Sequence, residues 1–207
     1  KLKLKSLTGS DETISSENEN ELSVSEKELV IFFIDIRGFT TISEQLDILK
    51  LQSFLNDFYS TVTKVITLNG GMINKFIGDS VLALFNVNEI DPDAEEKAIK
   101  SAKEILSRLN SLNQRRANNN EPIIEAGIGI NSGKVLLGVF GSFQRRDYTA
   151  IGDNVNIAAR LQSIAGKYEI YISENVYTKV KDKFNIEFLN ETTVKGKTEK
   201  IRIYKVL

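Results

Sequence analysis

Residues Ile73–Phe85 read INKFIGDSVLALF, two short apolar runs separated by Gly78-Asp79-Ser80. That pattern predicts two strands folded back on each other, with the glycine supplying the backbone freedom a tight turn needs. Asp79 then sits at the tip of the hairpin. Upstream, the apolar run Val30–Ile34 ends on Asp35 within FIDIRGFT. Asp35 therefore also lies where a buried strand meets solvent. Two carboxylates on neighbouring strand ends can hold a hard divalent cation.

Between these acids, a helix is expected after Gly38, opened by a Thr41-Ile-Ser-Glu44 capping box. Leu51, Phe54, Leu55, Phe58, Val62, Val65 and Ile66 recur along it at helical spacing, and Asn69-Gly70-Gly71 stops it. Past the hairpin, Asp91-Pro92 reads as a cap and first helical residue. Ala98, Ala102, Ile105, Leu109 and Leu112 form the buried stripe of that helix. The segment AGIGINSGKVLLGVFG predicts a second hairpin turning at Asn131-Ser132-Gly133. Asp153 is expected to cap a further helix, VNIAARLQSIA, with Asn156 and Arg160 four apart on one face. A last helix spans Ser173 to Val180, among short strands. Strand, helix, hairpin, helix, strand in this order predicts an α+β fold of the ferredoxin-like, split βαβ kind. Its sheet is antiparallel-rich, with helices packed mainly on one face.

Residues 1–27 are rich in Ser, Glu and Asn and too poor in apolar side chains to pack a core, so they read as a polar linker, with one domain over residues 28–207. The chain opens at Lys1 without a methionine, and the expectation is a piece of a longer parent protein. It has 207 residues, 41% of them hydrophobic, and a formal net charge of −1. That balance supplies no field for nucleic acid or for an anionic membrane. No apolar run approaches the roughly 18–20 residues of a membrane span.

The chain contains no cysteine and no histidine. Thiolate zinc sites, disulfides and serine–histidine triads are thereby excluded, and any metal must be held by oxygen. No GxxxxGK[ST] loop is present either. What remains is Asp35 and Asp79, Lys75 inside an apolar strand, the Asn156/Arg160 pair and the Val194–Lys197 turn, VKGK. Singly, each has an ordinary reading as a turn acid, a snorkelling lysine or a solvated helix face. Together they suit a triphosphate site.

FIDIRGFT, NKFIGDS, GIGINSGKVLLGVFG, YTAIGDNVNIAARL and VKGK occur in the order of the class III nucleotidyl cyclase catalytic domain, which the chain resembles from about Leu29 to Leu207. The resemblance is to the homodimeric bacterial type. It implies an adenylyl cyclase that makes cyclic AMP and pyrophosphate from ATP for intracellular signalling. It further implies two divalent cations, Mg²⁺ or Mn²⁺, held by Asp35, Asp79 and the backbone carbonyl of Ile36. Lys75 and Thr149 would read the base, Asn156 would orient the ribose, Arg160 would stabilise the transition state, and Lys195, with Lys197 as competitor, would hold the triphosphate. Guanylyl enzymes of the family place Glu where Lys75 stands. Adenylyl members usually carry Asp where Thr149 stands, so the threonine is a departure shared with one bacterial subgroup that responds to bicarbonate. Sites shared between two subunits, an upstream sensor domain in the parent chain and a cytoplasmic location, with or without membrane anchoring of the parent, are also implied. The alternatives are a guanylyl cyclase and a catalytically silent dimerisation module. The Gly-Gly-Asp-Glu-Phe signature of diguanylate cyclases is missing, since the turn reads Gly78-Asp79-Ser80-Val81.

Overall fold

The computed structural model of the chain describes residues 24–88, 90–193 and 200–207. Its centre is strand β1 (Ser25–Ile36), paired antiparallel with β3 on one side and β4 on the other. This position explains the unbroken apolar run, because residues on both faces of β1 are covered. Val30, Phe32, Ile34 and Ile36 enter one core, while Leu29, Ile31 and Phe33 enter another. The strand begins at Ser25, so three residues expected in the polar linker belong to the sheet.

On the first face lie α2 (Ile48–Leu68) and α3 (Ala94–Asn118), joined by the short α5 (Glu174–Val180). They follow α1 (Phe39–Gln45), a separate helix of two turns. Phe54, Phe58, Val62, Val65 and Ile66 of α2 meet Ala98, Ala102, Ile105 and Leu109 of α3 over β1. Burying each of the large apolar side chains here contributes about 1.5–3 kcal/mol. The expected helix start is corrected. Thr41–Glu44 lies inside α1, the chain breaks at Leu46, and Asp47 caps α2 by accepting from the Lys50 N–H at 2.9 Å. The Asp91-Pro92 cap also moves, since Asp91 accepts from the Asp93 N–H at 3.0 Å as a turn acid and α3 starts two residues later.

Strands β2 (Met72–Ile77) and β3 (Ser80–Phe85) form the expected hairpin. The second expected hairpin does not exist. Residues Ala126–Gly141 are one continuous strand, β4, that pairs with β1 in a single register from Ala126 to Leu137. Asn131 and Ser132 lie within it, nearly fully buried. Tertiary partners hold them: Asn131 Nδ2 donates to the Asn154 carbonyl at 2.9 Å, and the Ser132 carbonyl accepts from Asn175 Nδ2 at 2.8 Å, while the buried Asn131 Oδ1 has no partner among the described residues. β4 runs on past β1 and pairs with β5 (Arg146–Ile151). Strands β6 (Ile170–Ser173), β7 (Ile186–Thr193) and β8 (Lys200–Val206) complete the sheet in the order β2-β3-β1-β4-β6-β8-β7. One parallel pair, β4 with β6, interrupts an otherwise antiparallel ladder.

The second face is covered by β5 and by α4 (Asp153–Ile164), which places one helix opposite the other four. Asp153 is the first residue of α4 and Gly152 precedes it as the cap. Contact is close because Gly129 of β4 has no side chain beneath the helix. A Cβ there would lie 2.1 Å from the Gln162 backbone nitrogen and 2.4 Å from the Ala158 carbonyl oxygen. Among the described residues no helix is long and apolar enough to cross a membrane.

Candidate active site

Asp35 is the penultimate residue of β1, and its alternation with Phe33 aims it at the second face. Its neighbour in the ladder is Ser80, the residue after Asp79. The β2–β3 turn therefore delivers Asp79 beside the end of β1, and the Ile36 N–H donates to the Asp79 carbonyl at 3.4 Å. Gly78 sits in the left-handed region at φ 59°, which lets the turn close in so few residues. The Tyr59 hydroxyl of α2 donates to the Gly78 carbonyl, and the Tyr59 ring packs 4.5 Å from that of Phe76. The turn is thus pinned from the first face.

The electrostatics of the two acids follow from this closeness. Burial, and then the negative charge of Asp35, push the Asp79 carboxyl above the ordinary carboxylate range. Burial and Asp79 likewise raise the Tyr59 phenol. Asp35 is steadied by two neighbours: the Ser80 hydroxyl donates to its Oδ2, and Arg37 stands 3.8 Å from its Oδ1. The Arg37 guanidinium also donates to the Gln162 carbonyl of α4 at 2.9 Å. The two carboxylates fit a divalent ion chemically, since only oxygen donors are offered and the Asp35 repulsion that helps to raise Asp79 is what such an ion would relieve.

Lys75 lies on β2 opposite Leu82, which places it on the second face with Asp35. It forms no hydrogen bond or ion pair with any described residue. Thr149, on β5, is 8% exposed. Its hydroxyl donates to Asn74 Oδ1 at 3.0 Å, while Asn74 Nδ2 donates to the Tyr148 carbonyl at 2.9 Å. These two bonds hold β5 against β2 although the strands are not ladder neighbours, so the β4–β5 ribbon folds back over the second face. Thr149 is thereby set against the residue that precedes Lys75. Asn156 and Arg160 are both exposed on α4, and their side chains have no partner among the described residues. No hydrogen bond or ion pair links them to Asp35 or Asp79. Lys195 and Lys197 lie outside the described residues. Sequence reading missed Tyr59, Arg37, Ser80 and Asn74. Arg37 and Ser80 stand inside motifs already singled out, whereas Tyr59 and Asn74 carry no signal that spacing could reveal.

Residues 22–207 match the family described as adenylate and guanylate cyclase catalytic domain, and the chain belongs to that family. Among relatives, it is 35% identical over 188 residues to an adenylate cyclase, terminal-differentiation specific, of Dictyostelium discoideum, an alignment covering 87% of this chain and 9% of that protein. It is also 35% identical over 193 residues to an adenylate cyclase of Anabaena cylindrica, covering 89% of this chain and 38% of the relative. The chain thus spans well under half the length of these relatives. The crystal structure of the adenylyl cyclase CyaB from P. aeruginosa superposes with a TM-score of 0.86 at 33% identity, over 90% of this chain and 96% of that one. The guanylyl cyclase Cya2 follows at 0.83 and 30%, over 88% and 92%. The α+β fold expected from the sequence is the fold of these catalytic domains.

Proposed function

We propose that the chain cyclises ATP to 3′,5′-cyclic AMP with release of pyrophosphate, at a site completed by a second copy of itself. The 3′-oxygen of the ribose bonds to the α-phosphorus, the bond from that phosphorus to the β-phosphate oxygen breaks, and the hydroxyl proton passes to solvent. The observation that carries this reading is the meeting of Asp35 and Asp79 at the β1 end, on the same sheet face as Lys75, which has no partner among the described residues. Two divalent cations, Mg²⁺ or Mn²⁺, held there with the Ile36 carbonyl would lower the pKa of the 3′-hydroxyl and neutralise phosphate charge. Lys75 donates to the adenine ring and Thr149 accepts from its amine. Asn156 orients the ribose, and Arg160 faces the charge that grows on the phosphates in the transition state. Lys195 takes the triphosphate. The names of the relatives and the lysine at position 75 favour ATP over GTP.

The residues before β1 serve, on this reading, as the link to a regulatory unit in a longer, cytoplasmic parent chain. The test is product formation from ATP and from GTP, with Mg²⁺ and with Mn²⁺, across a wide range of protein concentration. Cyclic AMP should rise faster than linearly with protein, because monomers hold incomplete sites. Cyclic GMP as the main product would refute the base assignment. A specific activity independent of concentration down to full dissociation would refute the shared site.

A further inference from the structure

We propose that Asn74 is a specificity-positioning residue: it commits the Thr149 hydroxyl as a hydrogen-bond acceptor toward the base and so sharpens the preference for a 6-amino over a 6-oxo purine. This rests on the reading that Lys75 and Thr149 receive the base.

The orientation of the Asn74 amide is fixed by its neighbours. A backbone carbonyl can only accept, so the group 2.9 Å from the Tyr148 oxygen must be the amide NH₂. The amide oxygen therefore faces Thr149, 3.0 Å away. An amide oxygen can only accept, so the threonine must donate its single proton to it. With that proton committed, the hydroxyl offers a base nothing but lone pairs. An exocyclic amine at the purine 6-position can donate to them, whereas a 6-oxygen would face acceptor against acceptor. A threonine is by itself an ambiguous reader, able to donate or to accept. Asn74 removes the ambiguity.

The backbone is arranged for this. Along the β2–β3 ladder Ile73 pairs with Ala83, yet Lys75 pairs with Leu82, so Asn74 is an extra residue in a bulge. A bulge re-aims the side chains beside it. Here it lets Asn74 reach across to β5 while the next residue, Lys75, keeps its place on the second face. No other described group bonds to the Thr149 hydroxyl, which is nearly buried and otherwise has lone pairs left unfilled.

The experiment measures kcat/KM for ATP, GTP and inosine triphosphate with Mn²⁺ in the wild type, Asn74→Ala, Thr149→Val and the double variant. Inosine triphosphate carries the 6-oxygen without the 2-amino group of guanine; its protonated N1 faces Lys75 equally in wild type and variant, so the change in the ratio, not the ratio itself, reports the 6-position contact. Asn74→Ala should lower the ATP/inosine triphosphate ratio by roughly five- to tenfold, the usual worth of one hydrogen bond. In the Thr149→Val background the same substitution should leave the ratio unchanged, because Asn74 acts through the hydroxyl. Asn74→Asp keeps an accepting oxygen toward Thr149 and forfeits the Tyr148 bond; it should retain the wild-type ratio at reduced overall activity. A merely structural Asn74 would lower all nucleotides equally, and an unchanged ratio in Asn74→Ala overturns the proposal. So does a ratio change that persists in the Thr149→Val background, or one that Asn74→Asp shares. A wild type with no preference between ATP and GTP overturns the base-site reading itself, which separates the two failures.

Discussion

Gly129 is the position where fold and chemistry are most tightly joined. Replacing it with alanine puts a methyl carbon 2.1 Å from the Gln162 nitrogen, 2.4 Å from the Ala158 oxygen and 2.7 Å from the Gln162 Cα. All three are backbone atoms of α4, so no rotamer change relieves the clash. Ordinary contact begins near 3.4 Å. Either β4 or α4 must give way by roughly 1 Å, and β4 is hydrogen-bonded at this point to both β1 and β6. The helix should move. Overpacking of this kind costs about 1–3 kcal/mol, and a backbone clash belongs at the upper end. That corresponds to a fall in Tm of about 6–12 °C for a chain of this size. Because Asn156 and Arg160 ride on α4, a shift of about 1 Å at the reacting phosphates should lower kcat by roughly a hundredfold.

The control is Gly71→Ala. Its Cβ would meet the side chains of Ile66 and Phe85 at 2.7–2.8 Å on the opposite face, away from α4. It should lose stability while keeping kcat within about threefold. Thermal unfolding and initial rates, taken well below both transitions, separate the two effects. A Gly129→Ala chain that loses no more kcat than Gly71→Ala would refute the claim that this glycine sets the position of α4.

Other expectations follow from single contacts and from the shared site. Tyr59→Phe removes the bond that pins the Gly78 carbonyl, and it should cost about 1 kcal/mol of stability and lower kcat through a looser Asp79 turn; equal kcat would show the turn holds itself. Lys100, at 2.6 Å, and Lys183 hold the Glu96 carboxylate at about 2, below its ordinary 4.5. A depressed folded value stabilises the chain above the unfolded value and is lost as pH falls through the folded one. Glu96→Gln should therefore be less stable than wild type above pH 4.5, with the two unfolding curves converging toward pH 2. Equal parts of Asp35→Ala and Arg160→Ala chains, each inactive alone, should recover about a quarter of wild-type activity, since half the random dimers are mixed and each mixed dimer keeps one intact site. Mixed dimers without activity would refute the intersubunit assignment.

What the sequence revealed and what it hid divide along a physical line. Features decided by local chemistry were legible: the apolar run of β1, the Gly78-Asp79 turn, the buried stripes of α2 and α3, and the two acids at strand ends. Asn131-Ser132-Gly133 misled because turn residues usually have no partner but their own backbone. Here Asn154 and Asn175, far along the chain, bond to the Asn131 amide NH₂ and the Ser132 carbonyl, and the ladder to β1 carries the strand straight through. The break between α1 and α2 was written in Asp47 but masked by a plausible capping box six residues earlier. Asn74 is the hardest case. Its role depends on a bulge and on a ribbon folding back from residue 148, and nothing in the spacing of NKFIGDS announces either.

If Asn156 and Arg160 act as proposed, the geometry of α4 leaves one chain with only halves of two sites. Ile157, Ala158, Leu161 and Gln162 are the buried residues of the helix and face the sheet. At 100° per residue their mean direction lies roughly 150° around the axis from that of Asn156 and Arg160. A helix cannot turn its packing stripe and the opposite stripe to the same sheet. Asp35 and Asp79 stand on the sheet side, with Arg37 bridging Asp35 to the Gln162 carbonyl of α4. If Arg160 is to meet phosphates gathered at the acids, those acids must come from another copy, docked against the exposed side of α4. On the proposed function, the same contact that packs the helix in its own chain turns Asn156 and Arg160 outward, and activity is expected only of the assembled pair of chains.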